Sequence, residues 1–241
     1  DTAAIRQSAT IAAKEATADG ICWTFSPMVD ICHDARWGRI AEGAGEDPYL
    51  GAEMARAMVC GYQGADLGDS ATMMACVKHF GLYGAPDGGR DYNSVDMSRY
   101  RMYNEYLPTY KAAVDAGVGS VMSSFNTING IPSTGNRWLL TDLLRDEWGF
   151  RGIIISDWGG THSTVGAAMG GLDVEMPGNQ YMGQALLDSV NAGVVPMEVI
   201  DAKVRNLLRV RFAIPAVPDS LKNVVMTSQP EQQKPSPAIS P

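Results

Sequence analysis

The stretch Gly152-Ile-Ile-Ile-Ser-Asp-Trp158 decides the fold of this chain. Its three consecutive isoleucines leave no polar face, which is typical of a central strand in a parallel sheet that helices cover on both sides. Asp157 and Trp158 follow this apolar run directly. Because parallel α/β folds bind ligands at the carboxyl ends of their strands, we predict a functional site here. A carboxylate beside a flat indole suits a sugar ring, which has hydroxyl groups around its rim and apolar C–H faces.

The composition is that of an ordinary globular protein. The chain has 241 residues, 45% hydrophobic and 19% charged, enough for one α/β domain with a sizeable core. Its net charge of −8 argues against nucleic acid or an anionic membrane as the main partner and is compatible with a neutral ligand. No apolar run approaches the roughly 20 residues of a membrane span. The first residue is Asp1, so we expect either that a leader was removed or that the chain is an excised piece.

Strand-like and helix-like segments alternate along the chain. Strands are predicted over residues 21–25, 72–80, 118–126, 152–158 and 172–176, and helices over 2–19, 46–62, 98–116, 138–148, 161–169, 181–192 and from Pro196 onward. This alternation predicts a parallel sheet of about five strands, fewer than the eight of a closed (β/α)8 barrel. We assign residues 1–214 to one domain. Residues 215–241 are rich in Pro, Ser and Gln, and we expect a disordered or loosely docked tail.

Polar residues follow several of the predicted strands or the loops beside them. They are Arg39, Lys78 with His79, the segment 122–126, and Asp157 with Trp158. In a parallel barrel these positions open on one face, which favours a shared site. Each has a plainer interpretation: an Asp after a strand often caps a turn, a Lys-His pair can be solvated, and Trp37 and Trp158 can be packing residues. Arg36 and Arg39 can likewise pair with acidic residues of their own loop, namely Glu42, Glu46 or Asp47.

The cysteines and histidines give no metal-ligand pattern. Cys22, Cys32, Cys60 and Cys76 lack the spacing of a metal site, and we expect Cys22 and Cys76 to be small core residues. The three histidines, His33, His79 and His162, show no His-x-x-His pairing. The sequence therefore predicts neither a metal site nor a cofactor.

Short motifs spread from about residue 20 to residue 212 make the chain resemble glycoside hydrolase family 3, the β-glucosidase group. The motifs are Phe-Ser-Pro (25–27), Asp-Ala-Arg-Trp-Gly-Arg (34–39), Gly-Glu-Asp-Pro-Tyr (45–49), Lys-His-Phe (78–80), Ser-Phe-Asn (124–126), Asn-Gly-Ile-Pro (129–132), Ser-Asp-Trp (156–158) and Gly-Leu-Asp-Val-Glu-Met-Pro (171–177). The resemblance implies an N-terminal (β/α)8-like TIM-type barrel with parallel strands, here incomplete or collapsed.

The resemblance also implies a role for each matching residue. Asp157 matches the catalytic nucleophile, which attacks the anomeric carbon and forms a glycosyl-enzyme. The remaining matches are to substrate-binding positions: Arg39, Lys78 and His79 hydrogen-bond the sugar hydroxyls, Arg90 lies near them, Met122 and Phe125 line the floor, and Trp158 walls the pocket. Retaining hydrolysis needs a second carboxyl group as acid/base. We expect Lys78 and Arg39 to keep Asp157 ionised.

The chain departs from the family pattern at three points. Phe125 stands where many relatives have Tyr, so it offers no hydroxyl to the nucleophile. By this resemblance we expect the C-terminal domain that usually supplies the acid/base, and the family's first strand with its sugar-binding Asp, to lie outside residues 1–241. The loop over residues 81–93 also lacks the Asp-Ser-His sequence of the N-acetylglucosaminidase branch. We therefore expect a C-terminal domain or a second subunit to supply the acid/base.

The predicted function is retaining, exo-acting hydrolysis of β-glucosides or short β-glucan oligosaccharides, with the acid/base supplied from outside this chain. One alternative is a non-catalytic sugar- or partner-binding domain derived from the same fold. A second is a Schiff-base lyase with Lys78 as the nucleophilic amine, which the surrounding acidic residues disfavour because they stabilise the charged lysine. The resemblance suggests a periplasmic or secreted location.

Overall fold

The computed structural model describes residues 1–214 of the chain. The tail predicted over residues 215–241 lies outside the described residues. Within them, no helix combines the length and the apolar character needed to cross a membrane.

A parallel sheet forms the centre of the fold. Its strands are β1 (Cys76–Phe80), β2 (Ser120–Ser123), β5 (Ile153–Trp158) and β6 (Val174–Met176), in the order β1-β2-β5-β6. A separate antiparallel pair joins β3 (Thr127–Ile128) to β4 (Ile131–Pro132). The parallel strands lie side by side in chain order, as in a (β/α)8 barrel. The predicted α/β class with parallel strands is confirmed.

The chain segment before β1 also runs along the sheet. Single parallel bridges join Trp23 to Met74 and Met28 to Lys78, so this segment lies beside β1 on the side away from β2. The strand predicted over residues 21–25 is therefore reduced to isolated bridges, whereas the other four predicted strands form with shorter bounds. Five chain segments thus contribute to the sheet within residues 1–214, and the barrel is incomplete in the described part of the chain.

Helices occupy the segments between the strands. They are α1 (Thr2–Ala18), α2 (Pro48–Gln63), α3 (Arg99–Arg101), α4 (Leu107–Asp115), α5 (Thr164–Gly170), α6 (Gln184–Asn191) and α7 (Met197–Ala213), with π-helical segments at Met102–Tyr106 and Trp138–Glu147. Asp47 caps α2 by accepting from the backbone N–H groups of Tyr49 and Leu50, and Pro48 occupies the first turn. Both residues fit these positions, since Asp satisfies free N–H groups and Pro has none to satisfy.

The helix predicted over residues 98–116 forms in three pieces. A π-helical turn at Met102–Tyr106 separates α3 from α4, and Pro108 lies in the first turn of α4. Because proline lacks a backbone N–H, the regular hydrogen-bond ladder is interrupted at this point. The interruption takes the form of a wider turn immediately before the proline.

Both faces of the sheet are buried, as the run of three isoleucines predicts. Val77, Val121 and Ile154 belong to the larger core cluster, which includes side chains of α1, α2 and α4. Cys76, Met122 and Ile155 belong to a second cluster on the other face. The sheet therefore lies between two apolar layers, and its carboxyl edge is the place where polar side chains emerge.

The structure corrects one core prediction and leaves the apolar stripe of one helix largely uncovered. Cys76 is buried, but Cys22 is only half-buried, because it precedes the bridging residue Trp23 at the sheet margin instead of lying inside a strand. The apolar stripe of α7 is also largely exposed in the described part of the chain, at Met197, Val204 and Leu208, and the buried residues of α7 are Lys203 and Val210. Apolar periodicity identified the helix but not the face that is covered.

Candidate functional site

Strand β1 carries an irregularity where Lys78 and His79 occur. From Val77 to Phe80, β1 advances three residues while its partner β2 advances two. Successive side chains of a regular strand point to opposite faces, and one extra residue re-aims them. This bulge places His79 at the carboxyl edge of the sheet, where its ring reaches beyond its own strand.

Strand β5 carries a matching irregularity at the predicted nucleophile. From Ile155 to Trp158, β5 advances three residues while β6 advances two. Ser156 and Asp157 lie inside this stretch. Ser156 spans the bulge by accepting the backbone N–H of Met176 at 2.7 Å. The two strands that carry His79 and Asp157 therefore each contain a β-bulge at the carboxyl edge of the sheet.

The carboxylate of Asp157 is largely enclosed but reachable. Its side chain is 13% exposed, and its Oδ1 accepts the backbone N–H of Trp158 at 2.6 Å. Its Oδ2 is buried and has no hydrogen-bond partner among the described residues. The nearest basic atom is His79 Nε2, at 3.5 Å from Oδ2. One carboxylate oxygen is thus held by the backbone, and the other is left without a donor.

His79 is buried and tightly held. Asp30 Oδ2 accepts a hydrogen bond from the backbone N–H of His79 at 3.0 Å. The same oxygen is hydrogen-bonded to the ring Nδ1 of His79 at 2.8 Å. The hydroxyl of Tyr110 donates to Asp30 Oδ1 and to the carbonyl of His79. Burial, with Asp30 beside it, holds the pKa of Tyr110 well above its ordinary value, so this hydroxyl remains a donor. Asp30 and Tyr110 were not identified from the sequence.

Arg39 makes its strongest contact with Glu42. Arg39 Nε and Nη2 donate to the two carboxylate oxygens of Glu42 at 2.7 and 2.9 Å. This fork lowers the pKa of Glu42 and raises that of Arg39. The guanidinium also lies over the ring of Tyr83, 5.4 Å from its centroid. The pairing of Arg39 with an acidic residue of its own loop, one of the plainer interpretations, is present.

The predicted electrostatic support of Asp157 differs from the observed contacts. We expected Lys78 and Arg39 to keep this carboxylate ionised. Neither forms an ion pair with Asp157 within 4.0 Å in the described part of the chain, and only His79 lies at that range. The reason is local: Glu42 occupies the guanidinium of Arg39. Lys78 has no ion pair within residues 1–214 and is half-buried beside these groups.

An aromatic cluster borders the site. Tyr83 packs edge-on against Trp37 and His79, and Phe125 contacts Tyr83 and Tyr92. Asp91 Oδ1 accepts from Trp37 Nε1 at 3.0 Å and from the Tyr83 hydroxyl at 2.6 Å. Burial and this hydrogen bond raise the pKa of Tyr83. Trp37, Tyr83 and Asp91 therefore act as a scaffold that supports Phe125.

The other predicted site residues are placed less closely together. Met122 is buried in the core beneath the carboxyl edge, paired in register with Ile155. Trp158 is 68% exposed. Arg90 is exposed and has no side-chain hydrogen bond among the described residues. The structure brings His79 to Asp157 and Arg39 to Tyr83, but it shows no contact that joins Arg90 to either pair.

A neighbouring groove does not coincide with these residues. It encloses about 550 Å³ and its lining includes His33, Asp34, Asp87, Arg101 and Tyr106. Arg39, Lys78 and Asp157 are absent from that lining. We place the candidate site at the carboxyl edge because the titratable groups converge there, whereas the groove is lined mainly by loop residues with exposed ion pairs.

The residues that the sequence did not identify have one feature in common. Each makes a side-chain contact with a residue far away in the sequence: Asp30 and Tyr110 contact the predicted site residue His79, and Asp91 contacts Trp37. Asp30 follows the Phe-Ser-Pro motif and lies outside every predicted strand and helix. Its proximity to His79 could have been anticipated only from the parallel alignment of residues 23–28 with β1.

Comparison with known proteins identifies the fold at family level. Residues 1–210 match the family model described as "Glycosyl hydrolase family 3 N terminal domain". The match covers nearly all of the described residues, including the whole candidate site.

Similar proteins include hydrolases of two sugar types. A periplasmic beta-glucosidase of Salmonella typhimurium is 43% identical over 222 residues, which cover 87% of this chain and 29% of the relative. A beta-xylosidase of Formosa agariphila is 45% identical over 159 residues, 64% of this chain and 22% of the relative. The beta-glucosidase of Listeria innocua, solved in complex with isofagomine, superimposes with a TM-score of 0.88 at 39% identity, over 93% of this chain and 33% of that one. The chain spans about a third or less of the length of these relatives.

Proposed function

The chain belongs to glycosyl hydrolase family 3, and we propose that it is the nucleophile-bearing part of a retaining, exo-acting β-glycoside hydrolase. Residues 1–214 form its barrel-like domain. The observation that carries this proposal is the position of Asp157. Its carboxylate lies partly exposed at the carboxyl edge of a parallel sheet, with one oxygen held by a backbone N–H and the other facing a buried histidine.

Asp157 is suited to attack on an anomeric carbon. A carboxylate nucleophile has to be ionised and reachable, and it has to be held in one orientation. The backbone N–H of Trp158 fixes Oδ1. Oδ2 has no hydrogen-bond partner among the described residues, so it is the oxygen available to attack. A glycosyl-enzyme formed at Asp157 would then be hydrolysed with overall retention of configuration.

Basic side chains around Asp157 would bind the sugar hydroxyls. Arg39 remains charged and is held by Glu42 and Tyr83. Lys78 is half-buried and unpaired within residues 1–214. Charged hydrogen bonds to hydroxyls are stronger than neutral ones, and those that tighten in the transition state contribute to catalysis. In this proposal Trp158 covers one face of the ring and Phe125 another.

The acid/base comes from outside residues 1–214 in this proposal. Retaining enzymes hold their two carboxyl groups about 5–5.5 Å apart. Asp30 is buried and committed to His79 and Tyr110. Glu42 is held by Arg39, which lowers its pKa, whereas a general acid needs a raised one. Neither carboxyl is suited to protonate a leaving group, so a further domain or subunit would have to supply that residue.

The substrate class and location follow the relatives. We propose β-glucosides or short β-glucan oligosaccharides as substrates and the periplasm as the location, because the similar proteins include a periplasmic beta-glucosidase. The location is tested by cell fractionation of the native host with an antibody against this chain. Recovery with cytoplasmic markers would contradict it.

The nucleophile is tested by trapping. The chain is incubated with 2,4-dinitrophenyl 2-deoxy-2-fluoro-β-glucoside, whose good leaving group needs little help from an acid. The expected result is one added fluoroglucosyl group, which peptide mapping places on Asp157. Asp157→Asn should remain unlabelled, while the exposed control Asp142→Asn should label like wild type. Absence of label together with calorimetric binding of glucose would favour the non-catalytic sugar-binding domain instead.

A further inference from the structure

We propose that Asp30 is a positioning residue that fixes the ring orientation and the tautomer of His79, so that Nε2 is the ring nitrogen presented to Asp157 and the sugar. This inference rests on the proposed function of Asp157 as nucleophile. It concerns a side chain that lies two residues beyond the bridging Met28, in the segment that runs along the outer edge of β1.

The first argument is the double attachment of His79 to one carboxylate oxygen. Asp30 Oδ2 lies 3.0 Å from the backbone nitrogen of His79 and 2.8 Å from its Nδ1. The side chains of Asp30 and His79 are 0% and 2% exposed, so water does not compete for these bonds. A single oxygen that holds both the backbone and the ring leaves the imidazole little freedom to rotate.

The second argument concerns the proton on the ring. Asp30 Oδ2 already accepts the backbone N–H of His79, and as an acceptor toward the ring as well it assigns the hydrogen between Asp30 and His79 to Nδ1. Nε2 is then the ring nitrogen left for other partners. It lies 3.5 Å from Asp157 Oδ2, the oxygen that has no donor among the described residues. Histidines held by a carboxylate in this way have a defined tautomer and ring orientation.

The third argument is the support of Asp30 itself. The hydroxyl of Tyr110 donates to Asp30 Oδ1 and to the carbonyl oxygen of His79, at 2.5 and 2.8 Å. Tyr110 lies on α4, which packs against β1. The helix layer therefore holds both ends of the contact between Asp30 and His79. A carboxylate present only to satisfy one backbone N–H would not need this second donor.

The test reads the tautomer directly and the reaction separately. The chain has three histidines, so its ¹⁵N-histidine spectrum is simple. His33→Gln and His162→Gln assign the remaining signals to His79. Wild type should show a hydrogen on Nδ1 of His79. Asp30→Ala should lose this preference, and Asp30→Asn, whose amide oxygen can still accept from Nδ1, should keep it.

The labelling rate with the fluoroglucoside gives the second measurement. Asp30→Ala should slow labelling of Asp157 about 10- to 100-fold, because even a small misplacement of a group beside the reacting atoms can cost about 100-fold in rate. Asp30→Asn should recover most of the wild-type rate, and the exposed control Asp96→Asn should not differ from wild type. Tyr110→Phe, which removes only the supporting donor, should give an intermediate rate.

Two results would overturn the inference. One is a wild-type His79 with its single ring hydrogen on Nε2. The other is Asp30→Ala with the wild-type tautomer and the wild-type labelling rate. If Asp30→Ala fails to fold, the tautomer of wild-type His79 and the labelling rate of Tyr110→Phe still test the inference. If wild type does not label at all, the proposed nucleophile fails, whereas the tautomer continues to test Asp30.

Discussion

His79 and Asp157 meet across a strand that separates them. They belong to β1 and β5, which are not neighbours in the sheet because β2 lies between them. Adjacent strands are about 4.8 Å apart, so the two side chains together bridge roughly twice that spacing. His79 Nε2 nevertheless lies 3.5 Å from Asp157 Oδ2. The bulges in both strands make this contact possible above the end of β2.

Replacing the proposed nucleophile should stabilise the fold. Asp157 Oδ2 is buried without a donor, and an unsatisfied buried charged oxygen is unfavourable. We expect Asp157→Asn to raise the free energy of unfolding by about 1–2 kcal/mol in urea titrations. Asp142→Asn, on an exposed side chain, should change it by less than about 0.5 kcal/mol. A clear loss of stability in Asp157→Asn would mean that the carboxylate contributes favourably through His79.

The scaffold of the aromatic cluster depends on Asp91. Its Oδ1 accepts from Trp37 and Tyr83, both of which are buried. Asp91→Ala leaves two buried donors without an acceptor, so we expect a loss of at least about 2 kcal/mol in chemical denaturation. Asp87→Ala, in the same loop but exposed, is the matched control. Equal stability of the two variants would contradict the scaffold role.

A buried ion pair beneath the site should contribute more to the stability of the fold than an exposed ion pair does. Arg145 Nη2 lies 2.6 Å from Asp173 Oδ2, and the Asp173 side chain is 1% exposed. Removing one partner leaves an uncompensated buried charge, so Arg145→Met should destabilise the fold by about 3–5 kcal/mol. Arg56 pairs with Glu53 on the surface, and Arg56→Met should lose no more than about 1 kcal/mol. Similar losses for both variants, measured in guanidinium, would contradict the distinction.

Lys203 should give the stability a pH dependence. Burial lowers its pKa to about 8 from 10.5, against the opposing effect of Asp173. Between those values the unfolded chain binds a proton that the folded chain has released, so the contribution of this group to stability rises with pH across that window. We expect the stability of wild type relative to Lys203→Met to increase from pH 8 to pH 10.5, by at most about 3 kcal/mol. A difference that stays constant or falls would show that the folded amine remains protonated.

The sheet and most helices could be predicted from local patterns. The isoleucine run 153–155 has no polar face and forms a strand buried on both sides. Asp47 and Pro48 are typical of a helix start and are found there. These features depend only on residues that are neighbours in the sequence, so they can be predicted from it.

The contacts of the site could be predicted only in part. The resemblance to known hydrolases drew attention to His79 and Asp157, and the structure brings them together. The attachment of His79 to Asp30 spans 49 positions and depends on the parallel alignment of an edge segment. The pairing of Arg39 with Glu42 was open among several acidic partners, since sequence spacing alone does not choose between them. The exposed stripe of α7 shows the same limit, because periodicity does not specify what covers a helix.

The two bulges also bear on how this protein could be redesigned. Deleting one residue from each of β1 and β5 would give strands that pair in regular register along their whole length. In that idealised sheet the side chains at these positions would change faces, and the contact between His79 and Asp157 would be lost. The chemistry thus depends on two interruptions that a search for the most regular β-sheet would eliminate first.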